Sequence, residues 1–151
     1  VGLAYRGYTA RRVHVSRCQD GFKADADVLI EDSFVDHLWF EAEGKGTTHN
    51  DAVQTTGGSK VTLRHNSFVI GDTPRANAVV QFGVEDYPTI SGWLIEDNLI
   101  DGGGLAFNAR PPVTDTIVRN NRFTDRVGRI GDLPYATWEG NFADADGAPV
   151  P

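Results

Sequence analysis

The residues best suited to proton transfer lie in the segment Thr48-His49-Asn50-Asp51-Ala52-Val53-Gln54. An unperturbed imidazole titrates near neutral pH, so His49 is the strongest candidate for a general acid or base. Asp51 lies two residues later and could orient His49 or stabilise its charged form. Both side chains could instead cap the turn before a strand. If the protein is an enzyme, we predict that His49 and Asp51 are its catalytic residues.

A short pattern of an apolar residue followed by a polar one occurs four times along the chain. The segments are Gly21-Phe-Lys23, Ala52-Val-Gln54, Val79-Val-Gln81 and Ala106-Phe-Asn108. A period of two is typical of a half-buried strand, with the middle residue in the core and the last residue facing solvent. The predicted core residues are Phe22, Val53, Val80 and Phe107.

The four predicted solvent-facing residues are Lys23, Gln54, Gln81 and Asn108. If the strands stack about 4.8 Å apart, these side chains form one polar strip that can hydrogen-bond successive hydroxyl groups of a sugar chain. The alternative is an ordinary solvated sheet face, which is also polar. An acidic sugar would need a nearby cation, for which Arg110 or Arg75 is available. We predict that the four polar residues and Arg110 bind substrate.

A longer pattern, with apolar residues on both sides of a polar stretch, occurs five times. The segments are Val28-Leu-Ile-Glu-Asp-Ser-Phe34, Thr62-Leu-Arg-His-Asn-Ser-Phe68, Trp93-Leu-Ile-Glu-Asp-Asn-Leu99, Ile117-Val-Arg-Asn-Asn-Arg-Phe123 and Ala136-Thr-Trp-Glu-Gly-Asn-Phe142. Their last residues are separated by 34, 31, 24 and 19 positions, which indicates a repeat with variable loops. Asp32, Asn66, Asp97, Asn121 and Gly140 align, and these residue types tolerate the left-handed backbone of a sharp bend. Stacked amides can also hydrogen-bond between repeats.

The two patterns alternate, and no stretch sustains helical periodicity. We therefore predict an all-β fold, a right-handed parallel β-helix built as a single-stranded solenoid of about five coils. A β-sandwich would show two-residue hairpin turns, and a propeller would need four strands per repeat. We expect residues 1–142 to form the β-helix domain and residues 143–151 a tail or linker. No capping helix precedes the first coil, so we expect a fragment or an incompletely capped stack, with further coils or another chain at its N-terminal end.

The segments Ile95-Glu-Asp-Asn-Leu-Ile100 and Val118-Arg-Asn-Asn-Arg-Phe123 resemble repeats of the pectate-lyase-like superfamily of parallel β-helices. The resemblance covers about residues 13–142. It implies a secreted or cell-surface protein, typically bacterial, that carries a polysaccharide or another glycan on a parallel sheet face. The superfamily includes lyases, hydrolases, adhesins and non-catalytic stalks. The polygalacturonase motifs are missing, since only Arg129-Ile-Gly131 approaches Arg-Ile-Lys.

Composition excludes several other classes of function. The net charge of −7 and the pI near 4.9 argue against nucleic-acid and anionic-membrane partners. Cys18 is the single cysteine, so no internal disulfide is expected. No cofactor is predicted; calcium stays an alternative without an identifiable cluster of oxygen ligands. Two functions remain open, a polysaccharide lyase or glycoside hydrolase acting near His49, and a non-catalytic binding, adhesion or stalk module.

Overall fold

The computed structural model describes residues 3–41 and 48–150. Residues 1, 2 and 42–47 of the predicted β-helix domain and residue 151 of the predicted tail lie outside the described residues. The described part contains strands and no helix, and therefore no helix that could cross a membrane. All strand pairs within the sheets are parallel. The all-β prediction is confirmed at this level.

The strands form three sheets, which we call sheets I, II and III. Sheet I contains β1 (Thr9–Arg11), β4 (Val28–Glu31), β7 (Gly58–Arg64), β10 (Ile90–Glu96), β13 (Val113–Thr114), β14 (Thr116–Arg119) and β16 (Ala136–Glu139). Sheet II contains β2 (His14–Ser16), β5 (Phe34–Asp36), β8 (Ser67–Val69), β11 (Leu99–Asp101), β15 (Arg122–Phe123) and β17 (Phe142–Ala143). Sheet III contains β3 (Phe22–Lys23), β6 (Asp51–Thr55), β9 (Ala78–Phe82) and β12 (Leu105–Ala109).

From β1 to β12 the chain visits the sheets in the repeating order I, II, III, and from β13 to β17 its strands belong to sheets I and II alone; from β4 onward, strands pair with strands of the preceding repeat. This order is compatible with a stack of coils. β13 and β14 are consecutive in sequence and both pair with β10. Beyond β12, Arg129 and Ile130 continue the edge of sheet III by accepting hydrogen bonds from Ala106 and Phe107.

The core lies between the three sheets and consists of residues in register from successive repeats. The four core residues predicted for sheet III, Phe22, Val53, Val80 and Phe107, are all fully buried. Across the core, the ring of Trp93 of sheet I meets the ring of Phe82 of sheet III edge-on, with 5.0 Å between centroids. Burial of each such side chain stabilises the fold by about 1.5–3 kcal/mol. Each repeat buries its inward residues against its neighbours, so the repeats stabilise one another.

A row of buried polar side chains, which we call the asparagine ladder, follows the bend between sheets I and II. Its members are Ser33, Asn66, Asn98, Asn121 and Asn141. Each asparagine accepts a hydrogen bond from the backbone N–H of the preceding member at 2.9–3.0 Å. Asn66, Asn98 and Asn121 also donate to the amide oxygen of the next asparagine at 3.0 Å. The ladder therefore satisfies buried backbone groups at the bend, which the irregular backbone leaves without sheet partners.

The bend itself lies one residue before the ladder. The residues with left-handed backbone are Asp32, His65, Asp97, Asn120 and Gly140, with φ between 51° and 60°. The sequence-based alignment assigned Asn66 and Asn121 to this bend, and that assignment is wrong because both belong to the asparagine ladder. Successive ladder members are separated by 33, 32, 23 and 20 residues. The connections from sheet II to sheet III and from sheet III to sheet I both vary in length.

Charges alternate in sign along the outer face of sheet I. The register joins six residues from six of its strands, Arg11, Glu31, Arg64, Glu96, Arg119 and Glu139. Glu96 lies at the centre, with its carboxylate 2.5 Å from Arg64 Nε and 2.6 Å from Arg119 Nη2. Burial alone would raise the pKa of Glu96, but hydrogen bonds from Arg119 and Arg64 outweigh it and lower the pKa. If a strand paired with the strand of the next repeat instead, like charges would lie opposite each other. The alternation in sign therefore favours the observed pairing.

We predict that Glu96→Gln lowers the free energy of unfolding at neutral pH by about 1–2 kcal/mol. Because the folded-state pKa of Glu96 is lowered, its contribution is present above the unfolded pKa and is lost as pH falls through the folded pKa. The difference between variant and wild type should therefore vanish in acid. Urea denaturation at a series of pH values measures it. Glu139→Gln is the matched control, because Glu139 lies at the exposed end of the same row and has no ion pair among the described residues; an equal loss there would contradict the prediction.

Residues after β17 turn back toward the sheet. Pro149 forms an antiparallel bridge with Phe142, and the Val150 N–H donates to the carbonyl of Asn141 at 2.9 Å. The described part of the predicted tail thus packs against the last repeat.

Candidate functional site

The outer face of sheet III brings together the four polar residues predicted to bind substrate. Lys23 pairs with Gln54, Gln54 with Gln81, and Gln81 with Asn108, each in direct register. We call this row the polar strip. Lys23, Gln54 and Asn108 are half-buried, while Gln81 is only 7% exposed. The geometry predicted from the period of two is therefore present, and its role in binding stays a prediction.

Hydrogen bonds between side chains hold the polar strip in place. Lys23 Nζ donates to Gln54 Oε1 and lies 3.4 Å from Asp20 Oδ2. Gln81 Oε1 accepts from Asn108 Nδ2 at 2.7 Å and from Asn77 Nδ2 at 3.0 Å. The side chains are thus fixed before any ligand arrives, which lowers the entropy lost on binding.

Asp51 lies at the start of β6 beneath the surface, with its residue fully buried. Its Oδ1 accepts from Asn77 Nδ2 at 2.8 Å and from the Ala78 N–H at 2.9 Å. Its Oδ2 is buried and has no hydrogen-bond partner among the described residues. Burial, reinforced by the nearby charge of Asp20, raises the pKa of Asp51 to about 6, although the two hydrogen bonds oppose this shift. Asp51 is positioned to hold Asn77 and does not reach the solvent.

His49 is exposed and lines a surface cavity of about 420 Å³. The other lining residues are Phe40, Thr48, Arg75, Ala76, Asn77, Gly104 and Leu105. No hydrogen bond joins His49 to Asp51 within the described part of the chain, although the carboxylate is close enough for His49 to act on its pKa. The predicted pair is therefore brought into one region, with His49 at the surface and Asp51 below it.

The cavity is built where the connections from sheet II enter sheet III. Asn50 organises the first connection, because its Nδ2 donates to the carbonyl of Trp39 at 2.6 Å and to that of Gln19 at 2.8 Å. The carbonyl of Asn50 in turn accepts from the Asn77 N–H at 2.9 Å. Asn50 and Asn77 are site residues that the sequence did not identify. The signal available was Asn50 itself, a polar residue directly before a strand with a strongly apolar core.

One predicted substrate contact, Arg110, lies away from this cavity. Arg110 is exposed and follows the last residue of β12, at the opposite end of that strand from Leu105. Trp39 is 50% exposed and directly precedes Phe40, so an aromatic surface borders the cavity. Arg75, named with Arg110 as a cation for an acidic sugar, does line the cavity. The structure therefore brings Arg75, and not Arg110, to His49.

No group of three or more histidine, cysteine, aspartate or glutamate side chains within residues 3–41 and 48–150 could hold a metal ion. Comparison with known proteins found no match to a family model, a curated protein or a solved structure. The parallel all-β architecture is thus established by the strand pairing alone. What the chain does must be argued from the site.

Proposed function

We propose that this chain is a right-handed parallel β-helix of the pectate-lyase-like type, and that it binds an acidic glycan on the outer face of sheet III. The I, II, III order of the strands supports the first part, because parallel strands joined by crossovers are right-handed in about 98% of cases. The asparagine ladder and the two repeat patterns support the resemblance. A secreted or cell-surface location belongs to the same proposal.

The observation that carries the binding proposal is the charge of the cavity at the start of the sheet III strands. The protein has a net charge of −7, yet Arg75 and His49 line this cavity and none of its described lining residues carries a carboxylate. Because the protein as a whole is acidic, its net charge would not attract an anion. A local cationic surface on such a protein therefore indicates that this site itself recognises an anionic ligand. Arg75 can form two parallel hydrogen bonds with a sugar carboxylate.

The surroundings of Arg75 suit a sugar ring better than a small anion. Phe40 and Leu105 provide apolar contact for the C–H face of a pyranose, and Thr48 and Asn77 provide hydrogen-bonding groups for its hydroxyls. The polar strip continues from the cavity across four strands. A chain of several sugar residues could therefore place one uronate on Arg75 and hydrogen-bond its neighbours to Gln54 and Asn108.

Cleavage is the second candidate function, because His49 lines the same cavity as Arg75. In an elimination, His49 would take the proton from the carbon next to a carboxylate neutralised by Arg75. The C–H electron pair would form a double bond to the adjacent carbon as its bond to the glycosidic oxygen breaks, and that oxygen would take a proton from water. Hydrolysis by two carboxylates is less well supported, since Asp51 and Asp20 are both buried. Binding without cleavage is the function that this geometry supports best.

We predict that a galacturonate hexamer binds the wild-type protein and that Arg75→Gln weakens this binding about tenfold or more, because a charge-assisted hydrogen bond is lost. Isothermal titration calorimetry measures the affinity, with cellohexaose as the neutral ligand. Lys60→Gln removes one positive charge from an exposed position outside the cavity and should leave the affinity unchanged.

The same protein samples decide between binding and cleavage. Formation of an unsaturated uronate that is lost in His49→Ala would establish a lyase and reject the binding-only proposal. An equal loss of affinity for cellohexaose in Arg75→Gln, or an equal loss of affinity for the galacturonate hexamer in Lys60→Gln, would show that Arg75 recognises no carboxylate and would refute the acidic-glycan proposal.

A further inference from the structure

A second cavity lies at the opposite end of the sheet III strands. It has a volume of about 420 Å³ and is lined by Tyr5, Arg6, Asp25, Asp86 and Tyr87. Asp25 follows the end of β3 by two residues, and the loop with Asp86 and Tyr87 follows β9. The cavity described above lies at the start of these strands, and the two cavities share no lining residue.

Buried hydrogen bonds hold the floor of this second cavity. Asp25 is 3% exposed, and its Oδ1 accepts from Thr56 N at 2.9 Å, Thr56 Oγ1 at 3.1 Å and Thr55 Oγ1 at 3.2 Å. The carbonyl of Thr56 accepts from the N–H groups of Asp86 and Tyr87 at 3.0 and 3.1 Å. The loop that carries these two lining residues is therefore attached to the same threonine that Asp25 fixes.

Gly57 allows the loop to come this close. Its φ is +116°, and a Cβ at this position would lie 2.5 Å from the carbonyl oxygen of Tyr87. No side chain larger than hydrogen fits there without moving the loop. The close approach of Tyr87 to the sheet therefore depends on the glycine at position 57.

Two tyrosine rings and one guanidinium form the walls. Arg6 Cζ lies 5.4 Å from the centroid of the Tyr87 ring, within the range of a cation–π contact. Tyr5 is 56% exposed and has a φ of 82°, a backbone conformation that non-glycine residues rarely adopt. Its backbone is held there by the Tyr5 N–H, which donates to the carbonyl of Lys23, and by its own carbonyl, which accepts from the Asp25 N–H. An exposed aromatic ring is thus presented at the cavity in a constrained position.

The lining combines hydrogen-bond acceptors, a fixed donor and aromatic faces. Asp25 is 3% exposed and already accepts three hydrogen bonds, so the exposed charges that a ligand would meet are those of Arg6 and Asp86, which offset each other. A neutral pyranose matches all three features, since its hydroxyls both donate and accept and its C–H face can pack on a tyrosine ring. We propose that this cavity is a second glycan site that binds a neutral sugar residue, independently of the acidic-glycan site at Arg75.

The test uses the full chain and three neutral hexasaccharides, cellohexaose, mannohexaose and N-acetylchitohexaose, titrated in calorimetry and followed by NMR chemical shifts. We expect at least one to bind and to shift the signals of Tyr5 and Asp86. Tyr5→Ala and Asp86→Asn, both at exposed positions, should each weaken its binding about three- to tenfold. Tyr135→Ala is the matched control, because Tyr135 is 63% exposed and does not line the cavity.

The outcome is separable from that of the acidic-glycan proposal. Arg75→Gln should leave neutral-sugar binding unchanged. The proposal is overturned if none of the three hexasaccharides binds at millimolar concentration. It is also overturned if Tyr135→Ala weakens binding as much as Tyr5→Ala, or if the shifted signals belong to His49 and Asn77 instead.

Discussion

Asn98→Leu should lower the free energy of unfolding by about 4 kcal/mol, because it breaks the asparagine ladder at its middle. Asn98 Oδ1 accepts from Asn66 N at 2.9 Å, and Asn98 Nδ2 donates to the carbonyl of Leu63 at 2.9 Å. Leucine has similar volume but makes neither bond. Two buried backbone groups would lose their partners, at a cost of about 1–3 kcal/mol each, and the amide contacts to the neighbouring asparagines would also be lost.

Urea denaturation measures this change, and the adjacent bend provides the control. Asp97 is exposed, has a φ of 58° and directly precedes Asn98. Asp97→Gly should change the free energy of unfolding by no more than about 0.5 kcal/mol, since glycine adopts this backbone readily. A loss below about 1 kcal/mol for Asn98→Leu would mean that water replaces the amide. The ladder would then contribute register but little stability.

The sequence predicted the register of sheet III because each strand has an apolar residue followed directly by a polar one, although Ala52 and Val79 on the other side are buried as well. Phe22, Val53, Val80 and Phe107 were placed in the core, and the residue after each forms the polar strip. The strand register at the bend between sheets I and II was harder to predict. Phe34 was aligned with Phe68, whereas the structure pairs Phe34 with Ser67, and Val35 with Phe68. A shift of one residue exchanges the inner and outer faces of a strand. Since each of the two strands carries a phenylalanine, aligning Phe34 with Phe68 matched two apolar residues that lie on opposite faces of the sheet.

The candidate site shows a similar division. Residues on one strand can be assigned to a face from sequence, and the rule that places Val53 inside also places Asp51 inside, two residues earlier. The prediction that Asp51 acts as a catalytic residue did not take that rule into account. The cavity of Tyr5, Asp25 and Tyr87 could not be predicted, because its walls come from three repeats. The proximity of these walls depends on the loop of Asp86 and Tyr87, which is hydrogen-bonded to Thr56. The sequence of this loop shows no repeating pattern.

Asp51→Asn should stabilise the protein at neutral pH and remove part of its pH dependence. Burial raises the folded-state pKa of Asp51 to about 6, above the ordinary value of 3.8. Between these values the folded protein holds a proton that the unfolded chain releases, so stability falls as pH rises through this window. The fall amounts to about 3 kcal/mol for a shift of this size. Asparagine resembles the protonated acid, so the variant and the wild type should have similar stability below about pH 3.8, with a difference of about 1 kcal/mol already present at pH 4.5.

Urea denaturation at pH 4.5, 5.5, 6.5 and 7.5 tests this, with the variant compared with the wild type at each pH. The comparison is needed because Glu96 and Asp36 have lowered pKa values and change stability in the opposite direction. Asp20→Asn serves as a second variant: it removes a neighbouring charge that raises the pKa of Asp51, and so should reduce the pH dependence in part. A difference between Asp51→Asn and wild type that stays constant with pH would show that Asp51 is ionised throughout. The unpartnered Oδ2 would then have to be solvated, and Asp51 would be available to the His49 cavity as a charged group after all.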